Sequence, residues 1–426
     1  MRYIGIMNRL LVSVKKQVKR FVSYTIENDR KIFCLKDTDL KISFPLESRY
    51  IKKLEKCEII PNKIVFDNYM GKSYGGNCKY VTEELLRRKL KIDIVWIVKD
   101  IKKHRKEFPK NIRLVEYLSK EAFYEYFSAG IWVCNYHLIA YFNKGLKKRK
   151  NQKYIQLWHG SLGIKKIEKN CTFLVENQSW AYLAKKNSEN TDYWISNSKF
   201  ETEVYKNAFW NPRIILEYGH PRNDIFFKKT ELLLKNKVKN SISLRKDEKY
   251  VLYVPTYREE MNLLPFTIDT GKIVESLKKR FGGEWRFVIR KHPRMQDDIE
   301  RQEVIDTSNY PDIQELLMCA DALITDYSSC IFDFIFSYKP AFIYAPDKEK
   351  YNRDRGLYYP LEETPFPVSS SITDLMKEIL SFNEQVYIKK AKVFLAEKGC
   401  IEDGYASFRV CELIEEILLG DVEVYD

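Results

Sequence analysis

The sequence predicts an α/β protein with two doubly wound, Rossmann-like domains that face each other across a cleft. From about residue 60 onward, short apolar runs alternate with helical stretches, which is the pattern of parallel sheets covered by helices on both faces. The alternation comes in two separate series, and this predicts two sheets. Pro212, Gly219 and Pro221 punctuate the chain between the series, so we expect a hinge near residues 211–224.

The first 24 residues predict a basic amphipathic helix. Apolar residues recur at helical spacing between Leu10 and Val22, and Lys or Arg at positions 15, 16, 19 and 20 occupies the opposite face. A helix of this kind lies in the surface of an anionic membrane. Packing against the protein's own core is the alternative interpretation.

The remaining elements follow in chain order, beginning with a helix at Lys79–Arg88. The strands of the first series are predicted at Lys63–Phe66, Asp93–Val98, Trp132–Asn135, Tyr154–Leu157 and Tyr193–Ser196. Those of the second series are predicted at Tyr250–Pro255, Arg286–Arg290, Ala322–Thr325 and Ala341–Tyr344. We therefore expect the helix at 1–24, an N-terminal domain over 25–212, a C-terminal domain over 213–395, and helices in 396–426 that pack back toward the N-terminal domain.

Bulk properties restrict the protein's class. Lys and Arg outnumber Asp and Glu by 73 to 59, so the formal charge of +14 attracts anionic partners, with a lysine-rich surface that has no specific partner as the alternative. The nine Cys are scattered without a C-x-x-C pair, which argues against a zinc site or a disulfide framework. No apolar run reaches the roughly 18 to 20 residues of a membrane span, and no signal peptide is recognisable, so we expect a cytoplasmic protein.

Candidate site residues follow the strands, because open parallel sheets bind ligands at the carboxyl ends of their strands. After Tyr154–Leu157 come His159, Gly160 and Ser161. Histidine transfers protons near neutral pH, and the glycine beside it lets a substrate approach the backbone closely. Lys165 follows at a distance that suits a phosphate. A structural histidine in a turn is the alternative.

Three strand ends of the second series carry groups that bind phosphate. These groups are Thr256 and Arg258 after the first strand, Arg290 and His292 after the second, and Asp326, Ser328 and Ser329 after another. Hydroxyl and guanidinium groups bind phosphate, and the two serines stand where a helix should begin, so its N–H groups and dipole would add to the site. An ordinary helix cap or a basic strand edge is the alternative.

Two further segments could reach the same cleft. Arg222 and Asn223 lie in the expected hinge, and Arg355 lies in an Arg-rich loop after the last strand of the second series. Each motif alone is weak. Together they place cations, hydroxyls and two histidines on two facing domains, which suits the cleavage of a pyrophosphate-type donor.

The motifs resemble, in their order, the CDP-glycerol glycerophosphotransferases, the family of teichoic-acid primases and polymerases. The matching segments are QLWHGSLGIKK, YGHPRND, VLYVPTYRE, RKHP, ADALITDYSSCIFDFIFSYKPAFIYAPD and YNRDRGLYY. Upstream, IVFDNYMGKSYGGNCKYVTEELL is similar to the family's N-terminal motif, and EDGYASFRV is similar to its closing motif. The resemblance covers about residues 60–415.

The resemblance implies a GT-B-like architecture with the donor nucleotide on the C-terminal domain. It implies transfer of glycerol phosphate, or alternatively ribitol phosphate, from a CDP donor with release of CMP. It also implies that His159 is the base that activates the acceptor hydroxyl, and that Arg290 and His292 stabilise the pyrophosphate and the leaving CMP. The positions implied to contact the donor are Asp326, Ser328, Ser329 and Arg355.

The chain departs from the family's pattern at the histidine motif. Many members have H-G-T-P-L-K where this chain has HGSLGIK. Ser161 can supply the hydroxyl of the usual threonine, but the proline is missing. The acceptor of this chain can therefore differ from that of other members.

The expected partners are a CDP-polyol donor, a lipid-linked polymer acceptor (teichoic acid or capsule) and an anionic membrane surface. We expect a peripheral protein on the cytoplasmic face of the cell membrane and no nucleic acid as partner, since no nucleic-acid-binding signature occurs. We expect no cofactor and no metal site, and Mg²⁺, if required, would come with the donor. The alternatives are a GT-B glycosyltransferase that uses a nucleotide sugar, and a non-catalytic nucleotide- or membrane-binding protein.

Overall fold

The computed structural model describes residues 22–35, 41–171, 176–228, 231–257, 268–292, 295 and 303–420, and these residues form three sheets. The first is a small antiparallel sheet of β1 (Val22–Glu27), β2 (Arg30–Leu35) and β3 (Lys41–Pro45). Asn28 and Asp29 connect its first two strands with φ of 48° and 57°. Two successive left-handed residues are what a type I′ hairpin turn requires.

The second sheet has seven strands, and all of its strand pairs are parallel. Its strands are β4 (Ile60–Asp67), β5 (Asp93–Val98), β6 (Arg113–Glu116), β7 (Ala129–Cys134), β8 (Lys153–Gln156), β9 (Tyr193–Ser196) and β10 (Ile214–Glu217). They lie in the order β10-β9-β8-β7-β4-β5-β6. Strand β7 is buried along its whole length, as expected for a strand covered on both faces.

The third sheet has six strands and is also parallel. Its strands are β11 (Lys249–Val254), β12 (Trp285–Ile289), β13 (Val304–Asp306), β14 (Ala322–Thr325), β15 (Ala341–Tyr344) and β16 (Val368–Ser369). The order β13-β12-β11-β14-β15-β16 is the doubly wound order of a Rossmann sheet. The predicted α/β class with two parallel sheets is therefore confirmed.

Helices connect the parallel strands. The α-helices of the described residues are α1 (Arg49–Leu54), α2 (Gly76–Arg88), α3 (Ile101–His104), α4 (Lys120–Ser128), α5 (Ile139–Phe142), α6 (Gln178–Asn190), α7 (Lys199–Ala208), α8 (Glu231–Ser241), α9 (Thr270–Phe281), α10 (Ile313–Cys319), α11 (Cys330–Phe334), α12 (Lys348–Arg355), α13 (Ile372–Ser381), α14 (Glu384–Glu397) and α15 (Ala406–Leu419). Short 3₁₀ turns occur at Arg105–Glu107, Glu168–Asn170, Pro221–Phe227, Ile335–Ser337 and Leu361–Glu363.

The predicted end of the N-terminal amphipathic helix differs from the structure. Residues 1–21 of the expected amphipathic helix lie outside the described residues, but residues 22–24 belong to strand β1, so a helix reaching residue 24 is wrong. The reason is the hairpin, in which Val22 pairs with Leu35 and Tyr24 with Phe33. The sequence pattern predicts no element within residues 25–59, which contain most of the antiparallel sheet.

The chain crosses between the two parallel sheets twice. Strand β10 joins the edge of the first parallel sheet, although it follows residue 212, where the second domain was expected to begin. The last helix, α15, then returns to the first sheet. Its Val410 and Ile414 share a core with Ile64 of β4, and Arg88 of α2 donates to Glu415 at 2.7 Å.

A buried ion pair also joins the two parallel sheets. Lys79 of α2 lies 2.9 Å from Asp312 and 2.7 Å from Glu315, at the start of α10. Beside it, Ser73 Oγ donates to the carbonyl oxygen of Pro311 at 3.0 Å. The loops after β4 and before α10 are thus held together by charge and by hydrogen bonds.

Candidate active site

Each parallel sheet has one point where the strand order reverses, and ligands of doubly wound sheets bind at such points. In the first parallel sheet this point lies between β4 and β7. The loops that follow these strands contact each other there, because Asn135 Nδ2 donates to Asn68 Oδ1 at 2.6 Å and Tyr69 N donates to Asn135 Oδ1 at 3.0 Å. We call this place the first switch point.

His159 stands at the first switch point. Its Nδ1 lies 3.1 Å from the carbonyl oxygen of Asn135, and only a protonated Nδ1 can donate to that oxygen, so Nε2 keeps its lone pair. The rings of Tyr69, Tyr136 and Trp158 surround the imidazole, with centroids 4.3 to 5.3 Å away. Burial lowers the pKa of His159 to about 3. The imidazole is therefore neutral and able to accept a proton.

The second switch point lies between β11 and β14 of the other parallel sheet. Asp326, directly after β14, accepts hydrogen bonds from Thr256 N at 3.0 Å and Thr256 Oγ1 at 2.5 Å. This carboxylate ties the two strand ends together. Ser328 and Ser329 follow it and are both partly exposed, so their hydroxyls can reach a ligand.

The helix after the two serines is shorter than the sequence suggests. The apolar run from Cys330 forms the five-residue helix α11, which continues as the 3₁₀ turn Ile335–Ser337. Its dipole is consequently that of little more than one turn. Ser329 stands at the N-cap position but makes no side-chain capping bond.

The loop after His159 passes close to the second switch point. A Cβ atom on Gly163 would lie 3.6 Å from the Cβ of Ser329. Arg222 adds a second connection, since it donates to the carbonyl oxygen of Gly160 at 2.5 Å and to both carboxylate oxygens of Asp333, in α11, at 2.9 and 3.0 Å. Arg222 thus links the histidine loop to the helix that follows the two serines.

The same loop pairs with the segment around Arg355. Lys166 N donates to the carbonyl oxygen of Gly356 at 3.0 Å, and Tyr358 N donates to that of Ile164 at 2.7 Å. Lys165 therefore lies opposite Leu357 in an antiparallel bridge. The structure thus places the predicted Lys165 in this bridge, and the predicted Arg355 directly before it, at the end of helix α12 and not in a loop.

Arg290 and His292 follow β12 beside the second switch point. Arg290 is buried and donates through Nη1 to the carbonyl oxygens of Thr307 and Tyr310, at 3.2 and 2.7 Å. Burial lowers its pKa to about 10. The ring of His292 lies 5.5 Å from that of Tyr257, the residue after Thr256. The predicted Arg258 lies outside the described residues.

Asn223 and Ser161 belong to a buried polar network behind the histidine loop. Glu402 Oε1 accepts from Asn223 Nδ2 at 2.8 Å, from Asn197 Nδ2 at 3.1 Å and from His220 N at 3.0 Å. Asn197 also donates to Ser161 Oγ at 2.9 Å. Asn223 has no exposed surface, so its contribution is to hold the loops in place.

Several residues of this region were not singled out from the sequence, although their motifs were. They are Tyr69 and Lys72 of the N-terminal motif, Asp333 of the F-D-F block, and Glu402 of the closing motif. Their partners are distant along the chain, and no local pattern reveals them. In the parts of the chain that the structure describes, no group of three or more His, Cys, Asp or Glu side chains is arranged to hold a metal ion.

Two doubly wound parallel sheets, with a histidine at one switch point and hydroxyl and cationic side chains at the other, are typical of GT-B-like enzymes. Residues 50–416 match the family described as CDP-Glycerol:Poly(glycerophosphate) glycerophosphotransferase. The chain belongs to this family. The family and the enzyme class that the sequence predicted are both confirmed.

Individual relatives agree with the family match. A teichoic acid glycerol-phosphate transferase of Staphylococcus aureus is 31% identical over 371 residues, 83% of this chain and 94% of that protein. A teichoic acid poly(glycerol phosphate) polymerase of Staphylococcus epidermidis is 30% identical over 374 residues, and the chain spans about half, 51%, of its length. A solved variant of the wall teichoic acid polymerase TagF, soaked with CDPG, superposes with a TM-score of 0.76 at 27% identity, covering 88% of this chain and 94% of that one. Proteins named for ribitol-phosphate transfer match as well.

Proposed function

We propose that the chain transfers glycerol phosphate from CDP-glycerol to a hydroxyl of a lipid-linked cell-surface polymer and releases CMP, with ribitol phosphate as the alternative unit. The family membership and the names of the relatives support this donor and acceptor. The observation that carries the proposal is the position of His159. It stands at the first switch point, on a loop that passes close to Ser329 of the second.

The proposed reaction is a displacement at the β-phosphorus of the donor. The acceptor oxygen forms a bond to this phosphorus while the bond from the phosphorus to the bridging oxygen breaks. CMP departs with the bonding electron pair, and the proton of the acceptor hydroxyl passes to Nε2 of His159. The hydrogen bond of Nδ1 to the carbonyl oxygen of Asn135 orients the ring for this transfer.

The donor phosphates would be held from the second switch point. The hydroxyls of Ser328 and Ser329, the guanidinium groups of Arg290 and Arg355, and His292 supply donors for the oxygens on which charge develops. Phosphoryl transfer depends mainly on such positioning and electrostatic stabilisation. The proposal includes no protein-bound cofactor, and Mg²⁺, where needed, would accompany the diphosphate.

The two parallel sheets would form the facing domains of this enzyme, with the acceptor on the N-terminal side and CDP on the C-terminal side. The basic segment 1–21 would hold the protein to the anionic cytoplasmic face of the membrane. Among the described residues, none of the helices has the length and hydropathy needed to cross a bilayer.

A donor comparison tests the proposal. The purified chain is incubated with a lipid-linked glycerol phosphate acceptor and with CDP-glycerol, CDP-ribitol or a UDP-sugar, and the released nucleotide is quantified. We expect acceptor-dependent CMP release from one of the CDP-polyols. Nucleotide release from the UDP-sugar alone would establish the glycosyltransferase alternative, and no release from any donor would favour a non-catalytic protein.

A further inference from the structure

Lys72 is a cation at the first switch point whose place in the site is fixed by its backbone. It belongs to the loop after β4, in which Asp67 Oδ1 accepts a hydrogen bond from Gly71 N at 2.9 Å. Tyr69, Met70 and Gly71 have φ of 48°, 58° and 73°, so three successive residues are left-handed. Surrounding contacts must hold a non-glycine backbone in this region. The loop therefore presents Lys72 in one defined position.

The loop carries Lys72 to the neighbourhood of Arg290, on the other parallel sheet. The next residue, Ser73, donates to the carbonyl oxygen of Pro311 at 3.0 Å. Arg290 donates to the carbonyl oxygen of Tyr310, one residue earlier, at 2.7 Å. The two cations thus flank the same short segment from opposite sheets.

Lys72 has no anionic partner within the described parts of the chain. Burial and, to a smaller extent, the positive charges of Arg290 and Lys99 together lower its pKa to about 8, with no carboxylate opposing them. The contrast is Lys79, seven residues on, which is paired with two carboxylates. A partly buried cation beside another cation is unfavourable, and an anion bound between the two would remove the cost.

We propose that Lys72 binds a phosphate oxygen of the substrate, so that the first parallel sheet contributes a cation to the same oxyanion that Arg290 faces from the second. The identity of the ligand rests on the proposed function. The phosphate belongs either to the diphosphate of the donor or to the polymer acceptor, and both present the same oxyanion chemistry.

Three variants of the full chain test this assignment. Lys72→Gln removes the charge, Lys72→Arg keeps it, and Lys102→Gln removes an exposed lysine of α3 as the matched control. Binding of inorganic pyrophosphate is measured by titration calorimetry, and the KM values for CDP-glycerol and for the acceptor are measured separately. A charge-assisted hydrogen bond contributes about 1.5–3 kcal/mol, so we expect Lys72→Gln to weaken pyrophosphate binding roughly tenfold or more.

Lys102→Gln should bind pyrophosphate and both substrates as the unchanged protein does. The corresponding constants of Lys72→Arg should lie within about threefold of those of the unchanged protein. A rise confined to the KM for CDP-glycerol assigns the phosphate to the donor, and a rise confined to the acceptor KM assigns it to the acceptor. The inference is overturned if Lys72→Gln binds pyrophosphate and both substrates within about twofold of the unchanged protein. Lys72→Met, which keeps the aliphatic stem, replaces Lys72→Gln in these measurements if the latter fails to fold.

A melting experiment separates binding from a structural role. Removal of an unpaired cation should leave the melting temperature of Lys72→Met unchanged or higher, whereas loss of a structural lysine would lower the melting temperature.

The inference about Lys72 and the proposed function can fail separately. Loss of pyrophosphate binding in Lys72→Gln, combined with no polyol-phosphate transfer by any variant or by the unchanged protein, would reject the proposed function and leave the phosphate-binding role of Lys72 intact.

Discussion

At the residue scale, a single backbone oxygen decides the chemistry of His159. The carbonyl of Asn135 selects the tautomer with its lone pair on Nε2, and burial keeps the ring neutral. A phosphate bound nearby would raise the pKa of the imidazole toward the pH of the reaction, because it stabilises the protonated ring. The histidine is thus prepared as a base that gains proton affinity when the substrate is present.

We expect His159→Ala to reduce turnover about 10²- to 10⁴-fold, the range of general base catalysis. CMP release from CDP-glycerol measures the change. The control is His104→Ala on α3. The imidazole of His104 lies 2.7 Å from Glu107 and has no role in the proposed reaction, so this variant should retain full activity. Turnover of His159→Ala above about a tenth of the unchanged rate would contradict the assignment as base.

Glu402 makes stability depend on pH. Burial raises the pKa of this carboxyl from 4.5 to about 7, so between these values the folded protein keeps a proton that the unfolded chain has released. Stability must therefore fall as the pH rises through this window, by at most about 1.4 kcal/mol per pH unit. The loss is complete about one pH unit above pH 7, where the folded protein has released the proton as well.

We expect Glu402→Gln to flatten this profile, because the amide oxygen still accepts the hydrogen bonds made to Oε1 and carries no titrating proton. Denaturant unfolding at pH 5, 6, 7 and 8 measures the free energy of unfolding. The exposed Glu412 of α15 supplies the control, Glu412→Gln, which should follow the unchanged protein. The prediction fails if Glu402→Gln and the unchanged protein lose stability in parallel.

The sequence could predict which residues stand at strand ends, but not which of them face each other. His159, Ser328 and Arg290 were found because apolar runs mark the strands they follow. Lys72 and Glu402 were not, because their significance depends on what surrounds them in the folded protein. An unpaired lysine and a paired one look alike in a sequence.

At the scale of elements, the salt bridge between Arg222 and Asp333 joins the 3₁₀ turn Pro221–Phe227 to α11. Both side chains are buried, and the arginine also holds the carbonyl of Gly160. Gln314 Nε2 donates to the same carboxylate at 2.8 Å. Three segments from different parts of the chain therefore depend on one carboxylate.

We expect Asp333→Asn to destabilise the protein by about 3–5 kcal/mol, the cost of leaving a buried charge without its counter-ion. The double variant Arg222→Met with Asp333→Leu should recover much of this loss, because no unpaired charge remains. Free energies from urea unfolding measure both changes. Equal stability of the single and double variants would show that the charge is not the cause.

The strands were predicted correctly where short apolar runs alternate with helical stretches, and they were missed where this alternation is absent. The boundaries predicted for β5, β9, β14 and β15 are those observed, because each is an apolar run between turn residues. The antiparallel sheet was missed, although Asn28–Asp29 between two alternating segments is a hairpin signal. The basic amphipathic pattern before residue 22 led to a predicted helix that extended three residues into strand β1.

At the scale of the whole molecule, the two parallel sheets are held together by Lys79. Its ammonium is paired with Asp312 and Glu315 in the interior. Its removal leaves the buried Asp312 without this cation, whereas Glu315 keeps Lys237 at 2.8 Å. The return of α15 to the first sheet adds an apolar connection. We therefore expect the two sheets to unfold in one calorimetric transition.

Lys79→Met should lower the free energy of unfolding by about 3–5 kcal/mol. The matched control is Arg87→Met on the same helix, because Arg87 pairs with Glu84 with its side chain 68% exposed, and such surface pairs contribute about 1 kcal/mol or less. Denaturant titration measures both. Losses that agree within about 0.5 kcal/mol would contradict the connection between the sheets.

The antiparallel bridge between residues 164–166 and 356–358 has a consequence for how substrates are exchanged. Its two backbone hydrogen bonds join loops that belong to different sheets, so a wide rotation of one sheet away from the other must break them in every cycle. The free-energy barrier to binding of CDP-polyol and release of CMP is therefore lowest when the two sheets keep their relative position and only side chains and short loops move. A cross-link that locks the two loops together should then slow catalysis little.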